Sequence, residues 1–199
     1  MPVATALIDR THGRWPWVAA AGAGPAAALA WRRRERLADD DAWVEWLPLA
    51  ALLWHQTEEW VWPGGFMPFA NREAIGSGED EFPLDRRVGL IVNVGLGWGL
   101  GLAAAGTRNA GLSSLQLSLL AGNVALHGAL GIRYRRWNPG LLTAAGLFAP
   151  LVAAGYPALI ARARRDRASA AVRAGAIAGA GFSVGLMGVL RGRLRLSRR

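Results

Sequence analysis

Blocks of about 17 to 24 mostly apolar residues, separated by short arginine clusters, constrain this chain more than any other feature. A soluble domain of 199 residues would alternate polar and apolar positions at a period of two or 3.6; here the charge is clumped at block ends instead. A hydrocarbon core about 30 Å thick needs about 20 apolar residues per helix. The pattern predicts an all-α, polytopic transmembrane helix bundle of about six spans, at 15–31, 42–62, 88–105, 112–132, 140–161 and 174–190. If the first block is a signal-peptide core or an interfacial segment, five spans remain.

The chain divides into three parts. Residues 1–41 hold the weak first span, rich in Ala and Gly with Pro25 inside, and an Arg/Asp-rich linker. Residues 42–161 form a four-span core with a 25-residue connection at 63–87, and 162–199 hold the sixth span and a basic tail. A connection of that length is too long for a passive turn; its prolines, glycines and acidic patch predict either a lid over one membrane face or a disordered surface loop. The pairs Gly175/Gly179 and Gly181/Gly185 predict close helix packing, and Trp60, Trp62 and Trp137 fall where an aromatic belt would sit.

All 23 basic residues are arginine, and the formal net charge is +9. Because the arginines flank apolar blocks, they read as helix anchors on anionic headgroups rather than as a nucleic-acid surface. In a six-span arrangement, 13 arginines fall on the face holding both termini and 10 on the other, which predicts insertion in the cytoplasmic membrane with cytoplasmic termini. The absence of cysteine removes disulfides, thiolate metal sites and thiol nucleophiles. Without lysine there is no phosphate-binding P-loop.

The second block reads AWVEWLPLAALLWHQTEEWVWPGG, and its histidine and paired glutamates are costly in hydrocarbon, at roughly 2.5 kcal/mol or more for a charge near a helix centre. His55 and Glu58 are spaced i, i+3, and His55 and Glu59 i, i+4, so both carboxylates lie near the histidine's face. Following the spans back and forth brings Asn93, Asn123 and His127 to a similar depth beneath the long connection, with Thr143 close to the start of the fifth span. Two adjacent carboxylates in low dielectric cannot both stay ionised unaided, whereas a cation would offset their charge. His55, His127, Glu58 and Glu59 offer a mixed N/O set suited to Zn, Fe or Mn, and Asn93, Asn123 and Thr143 would orient ligands or hold substrate. There is no H-E-x-x-H, and His12, His55 and His127 are too few for a histidine-rich di-iron centre.

The segments H-Q-T-E-E at His55–Glu59 with W-V-W-P-G-G-F after it, G-N-V-A-L-H ending at His127, and Y-R-R-W-N-P-G-L-L-T ending at Thr143 resemble the HXXEE family of small bacterial membrane proteins. The resemblance spans about residues 42–150. It implies His55, Glu58, Glu59, Asn123 and His127 as site residues of a metal-dependent or acid–base enzyme, with the segment before Asp41 an addition, and supplies no reaction.

The leading expectation is a membrane-embedded, metal-dependent enzyme acting on a lipophilic substrate that enters laterally or beneath the connection, with membrane lipid around it. Glu58 and Glu59 would divide ligand and acid–base roles between them. One alternative is metal-free acid–base chemistry. That would be an isoprenoid cyclase, with Trp54, Trp60 and Trp98 sheltering a cation, or a glutamic hydrolase similar to the CAAX-processing intramembrane proteases, whose E-E-x-x-x-R is not met here. A transporter or scaffold is the non-enzymatic alternative, though no internal repeat supports it.

Overall fold

The structure, a computed structural model, describes residues 13–39 and 41–198; Arg10, His12, Asp40 and Arg199 lie outside the described residues. All regular elements among the described residues are helical. They are α1 (Trp15–Arg32), α2 (Arg34–Asp39), α3 (Trp43–Trp60), α4 (Phe66–Phe69, continued in π-helical turns over Ala70–Ile75), α5 (Arg86–Thr107), α6 (Ala110–Tyr134), α7 (Leu141–Arg165) and α8 (Ser169–Ser197).

Four helices, α5 to α8, are long and apolar enough to cross a membrane. The expected six spans are therefore met for four. The other two, α1 and α3, have 18 residues each, about 27 Å at 1.5 Å per residue. Alanine, glycine and Pro25 dilute α1, and α3 carries Glu45, His55, Gln56, Glu58 and Glu59, all buried. These two helices pack on each other, and α3 also touches α5, α6 and α7. A helix this polar is tolerated because the bundle, not lipid, surrounds its polar face.

Local chemistry sets the helix ends. Asp85 accepts from the Val88 backbone N–H at the start of α5, and Asn109 accepts from Gly111 and Leu112 at the start of α6. Arg108 and Arg135 terminate α5 and α6 in the left-handed region. The long α8 lies along α6, and a side chain at Gly175 or Gly179 would run into Gly111, Leu115 or Ser118. Gly181 and Gly185, expected to form a second packing pair, have no neighbour within 4 Å of an added Cβ.

The 63–87 connection folds into a cap. Buried Asn71 donates to the carbonyls of Asp80 and Leu84 and accepts from the Leu84 N–H, so one amide replaces the ladder that a loop lacks. Ala70, Ile75 and Leu84 then pack against Leu190 and Leu194 of α8, and Arg193 of α8 donates to Pro83 and Asp85. At the opposite end, Glu45 and Arg162 form a buried ion pair, joined by the Ser113 hydroxyl.

Candidate metal centre

Three helices converge beneath the cap. The last turns of α3 carry His55, Glu58 and Glu59, the last third of α6 carries His127, and the start of α7 carries Thr143. His55, His127 and Glu59 are 1%, 0% and 4% exposed, so water does not solvate them. Phe148 stacks at 4.5 Å from the His55 ring, and Phe66 of the cap lies 5.5 Å from the His127 ring.

Each histidine is oriented through its Nδ1. Thr143 Oγ1 lies 2.5 Å from Glu58 Oε2 and 2.8 Å from His55 Nδ1. A hydroxyl has one proton, and the carboxylate takes it, so Thr143 accepts from Nδ1–H. His127 Nδ1 lies 2.8 Å from Asn138 Oδ1, while Asn138 Nδ2 donates to the carbonyl of His127 itself at 3.0 Å. That second bond settles which end of the amide faces the ring: Oδ1 accepts, and Nδ1 carries the proton. With each Nδ1–H held in this way, both rings turn Nε2 toward the same place.

That place is Glu59. Its Oε1 lies 3.3 Å from His55 Nε2 and 3.2 Å from His127 Nε2, and neither nitrogen has a hydrogen-bond partner among the described residues. Three such atoms, buried and facing one another, repel unless a cation or a proton lies between them. The donor set fits a borderline divalent ion, and three protein ligands leave a position for substrate or water. Two donors about 2.0–2.1 Å from a tetrahedral ion would stand about 3.3 Å apart, close to the distance of each Nε2 from Glu59 Oε1. The three side chains form one group able to hold a metal.

Glu58 faces elsewhere. The backbone N–H groups of Leu142 and Thr143 donate to Oε1 and Oε2 at 3.1 and 2.8 Å, so this carboxylate caps the N-terminus of α7. The 100° between adjacent helix positions separates the roles: Glu59 meets the histidines, and Glu58 holds the helix that holds His55.

Asn93 and Asn123 do not touch the histidines. Asn93 accepts from Gln56 and donates to the Gly89 carbonyl, and Asn123 donates to the Leu119 carbonyl. Both line a cavity of about 210 Å³ that reaches His55 and Glu59, with apolar walls from α5, α6 and α8. Trp60 also borders it, whereas Trp54 faces outward and the Trp98 indole donates to Gln56. Of the expected belt residues, Trp62 and Trp137 are exposed while Trp60 packs on Trp15 and Phe66.

Two residues of the centre were missed in the sequence. Asn138 sits in the α6–α7 loop, where no periodicity marks it. Gly140, at φ +95°, leaves room for both rings. The N-P-G-x-x-T run was the available signal, since Asn138, Gly140 and Thr143 all serve the histidines. A G-x-S-x-G pattern at Gly181–Gly185 lies within α8 rather than at a strand-to-helix turn, and its Ser183 hydroxyl donates to the Gly179 carbonyl. It is not a nucleophile elbow.

Comparison with known families gives one match. Residues 46–154, more than half of the chain, match the family described as "Protein of unknown function with HXXEE motif", and the chain belongs to that family. No curated protein matches, and no solved structure matches.

Proposed function

We propose that this HXXEE-family protein is a membrane-embedded, metal-dependent enzyme acting on a lipophilic substrate, with His55, His127 and Glu59 as the metal ligands. The observation that carries the reading is the convergence of two imidazole Nε2 atoms, each ring oriented by a partner behind its Nδ1, on one carboxylate oxygen. A bound Zn, Fe or Mn ion would supply Lewis-acid polarisation or an activated water at this point.

The chain's own residues do the rest. Thr143 and Asn138 hold the two rings in the tautomer that presents Nε2. Glu58 keeps Thr143 in place, so the expected division of labour between the glutamates becomes ligand and orienting group. Phe66 and Phe148 cover the rings and exclude water, while Asn93 and Asn123 offer amides to a substrate lying in the apolar cavity. The cytoplasmic membrane with inward termini is the placement that the arginine distribution supports, provided that α1 and α3 cross with the other four.

A second reading rests on the same distances. A proton shared between Glu59 Oε1 and either Nε2 would also bridge 3.2–3.3 Å, giving a metal-free acid–base centre. Metal content of the detergent-purified protein separates the two. About one equivalent of Zn, Fe or Mn, absent in His127→Ala, supports the metal enzyme. Protein that stays empty after metal is added back rejects it in favour of the shared proton.

A further inference from the structure

Glu59 borders two cavities, one of them markedly more apolar than the other. On one side lies the chamber described above, walled by residues such as Leu52, Leu96, Leu126 and Leu186. Its outer walls, α5 and α8, both pack on α6 but make little direct contact with each other, so the chamber lies between two helices apolar enough to cross a membrane. On the other side a vestibule of about 240 Å³ lies beneath the cap, bordered by Pro16, Trp17, Gly65, Met67, Pro68 and Arg86. Among the described residues, Glu59, Trp60 and Phe66 border both, the rings of Trp60 and Phe66 standing 6.2 Å apart.

The two spaces suit different molecules. A gap between spanning helices is reached from hydrocarbon, and its lining is mostly apolar, with leucine the commonest residue and the amides of Asn93, Gln116 and Asn123 among its few polar groups. The vestibule is bordered by Arg86, whose guanidinium pairs with Glu81 at 3.3 Å, and by the cap residues Gly65, Met67 and Pro68. We propose that Glu59 stands where two access routes meet: a linear hydrocarbon chain, acyl or prenyl, enters between α5 and α8, and water enters separately beneath the cap. This rests on the reading of the centre as an enzyme site and assigns its substrate class, a molecule bearing such a chain.

The chain's lack of cysteine makes the routes measurable one position at a time. Full-length Met67→Cys and Leu126→Cys, reconstituted in phosphatidylethanolamine/phosphatidylglycerol vesicles, would be exposed on both faces to a charged thiosulfonate. The same vesicles carrying the parent protein would be photolysed with a diazirine-bearing hexadecanol, and the labelled residues mapped. The expected result is labelling of Met67→Cys at least tenfold faster than Leu126→Cys, and diazirine adducts on α5, α6 and α8 positions lining the chamber. Leu126→Trp or Leu186→Trp, each folded by elution and helical content, should lower those adducts severalfold. Competition by hexadecanol or by geranylgeraniol distinguishes an acyl from a prenyl chain, and either supports the proposal.

Equal reaction of both cysteines with the charged reagent would overturn it, as would adducts unchanged by both tryptophan variants. None of these readouts needs a bound metal. Labelling as expected in a protein that binds no ion leaves the routes standing and rejects only the metal.

Discussion

Gly140 lies directly against both site histidines: a Cβ on it would stand 2.5 Å from His127 Cε1 and 2.9 Å from His55 Cε1. Its φ of +95° is also one that side chains other than glycine's resist. Gly140→Ala must therefore push the rings apart or change the turn that starts α7. The expected outcome is loss of the metal together with at least about 2 kcal/mol of stability. Gly146→Ala, on the same helix with nothing within 4 Å of the new methyl, should be neutral or slightly stabilising. Thermal unfolding with metal analysis of the two variants checks this, and equal behaviour would reject the steric argument.

The two glutamates separate by where each carboxylate points. Glu59→Gln removes the convergent oxygen and leaves the α7 cap intact, so metal affinity should fall by more than about 100-fold with the fold preserved. Glu58→Gln removes a charge from the N-terminus of α7 and weakens the Thr143 bond, costing about 1–2 kcal/mol. Its metal affinity should fall by only about tenfold, through a loosened His55. Titration calorimetry and melting curves of both variants decide the assignment; the reverse order would mean that Glu58 is the ligand.

Asn138 determines which His127 nitrogen is bare. In Asn138→Ala the ring loses both its partner and its anchor, and metal affinity should drop by about 10–100-fold. Asn138→Asp restores an acceptor for Nδ1–H and should recover part of the loss. The ring proton resonances of His127, read by NMR with labelled histidine, report the tautomer directly. An unchanged tautomer in Asn138→Ala would remove Asn138 from the centre.

Helical periodicity was enough to bring His55, Glu59 and His127 to one depth, because alternating spans leave few ways to place a residue five or seven positions from a helix end. It did not distinguish Glu58 from Glu59. Both lie near the histidine stripe, and only the position of the α7 N-terminus, a tertiary fact, gives Glu58 its partner. Asn138 escaped notice for a related reason: it sits in a loop beside Pro139, where backbone geometry rather than spacing aims the side chain. The cap was legible as a long connection, with a lid and a disordered loop left open, since its order rests on tertiary contacts: the buried Asn71 amide, apolar packing on α8 and the Arg193 bonds. Hydropathy placed α5 to α8 well, whereas α1 and α3, which pack on each other, are not apolar enough to be marked as spans by hydropathy.

The Glu45–Arg162 pair illustrates how α3 is held at its other end. Both side chains are buried, Ser113 donates to Glu45 Oε1 at 2.7 Å, and Arg162 also reaches the Asp41 carbonyl. Val44, Leu117, Leu159 and Val172 pack around this point, so neither charge can turn to water. Removing one partner strands the other, which costs about 3–5 kcal/mol in a buried setting. Arg162→Met should therefore unfold far more easily than the parent in detergent. Adding Glu45→Gln to it should recover most of that loss, because the stranded charge is gone and the amide still accepts from Ser113. The recovery is the informative number. If the double variant is no more stable than Arg162→Met, the cost lies in lost packing of the arginine stem, and the pair does not brace the entry of α3.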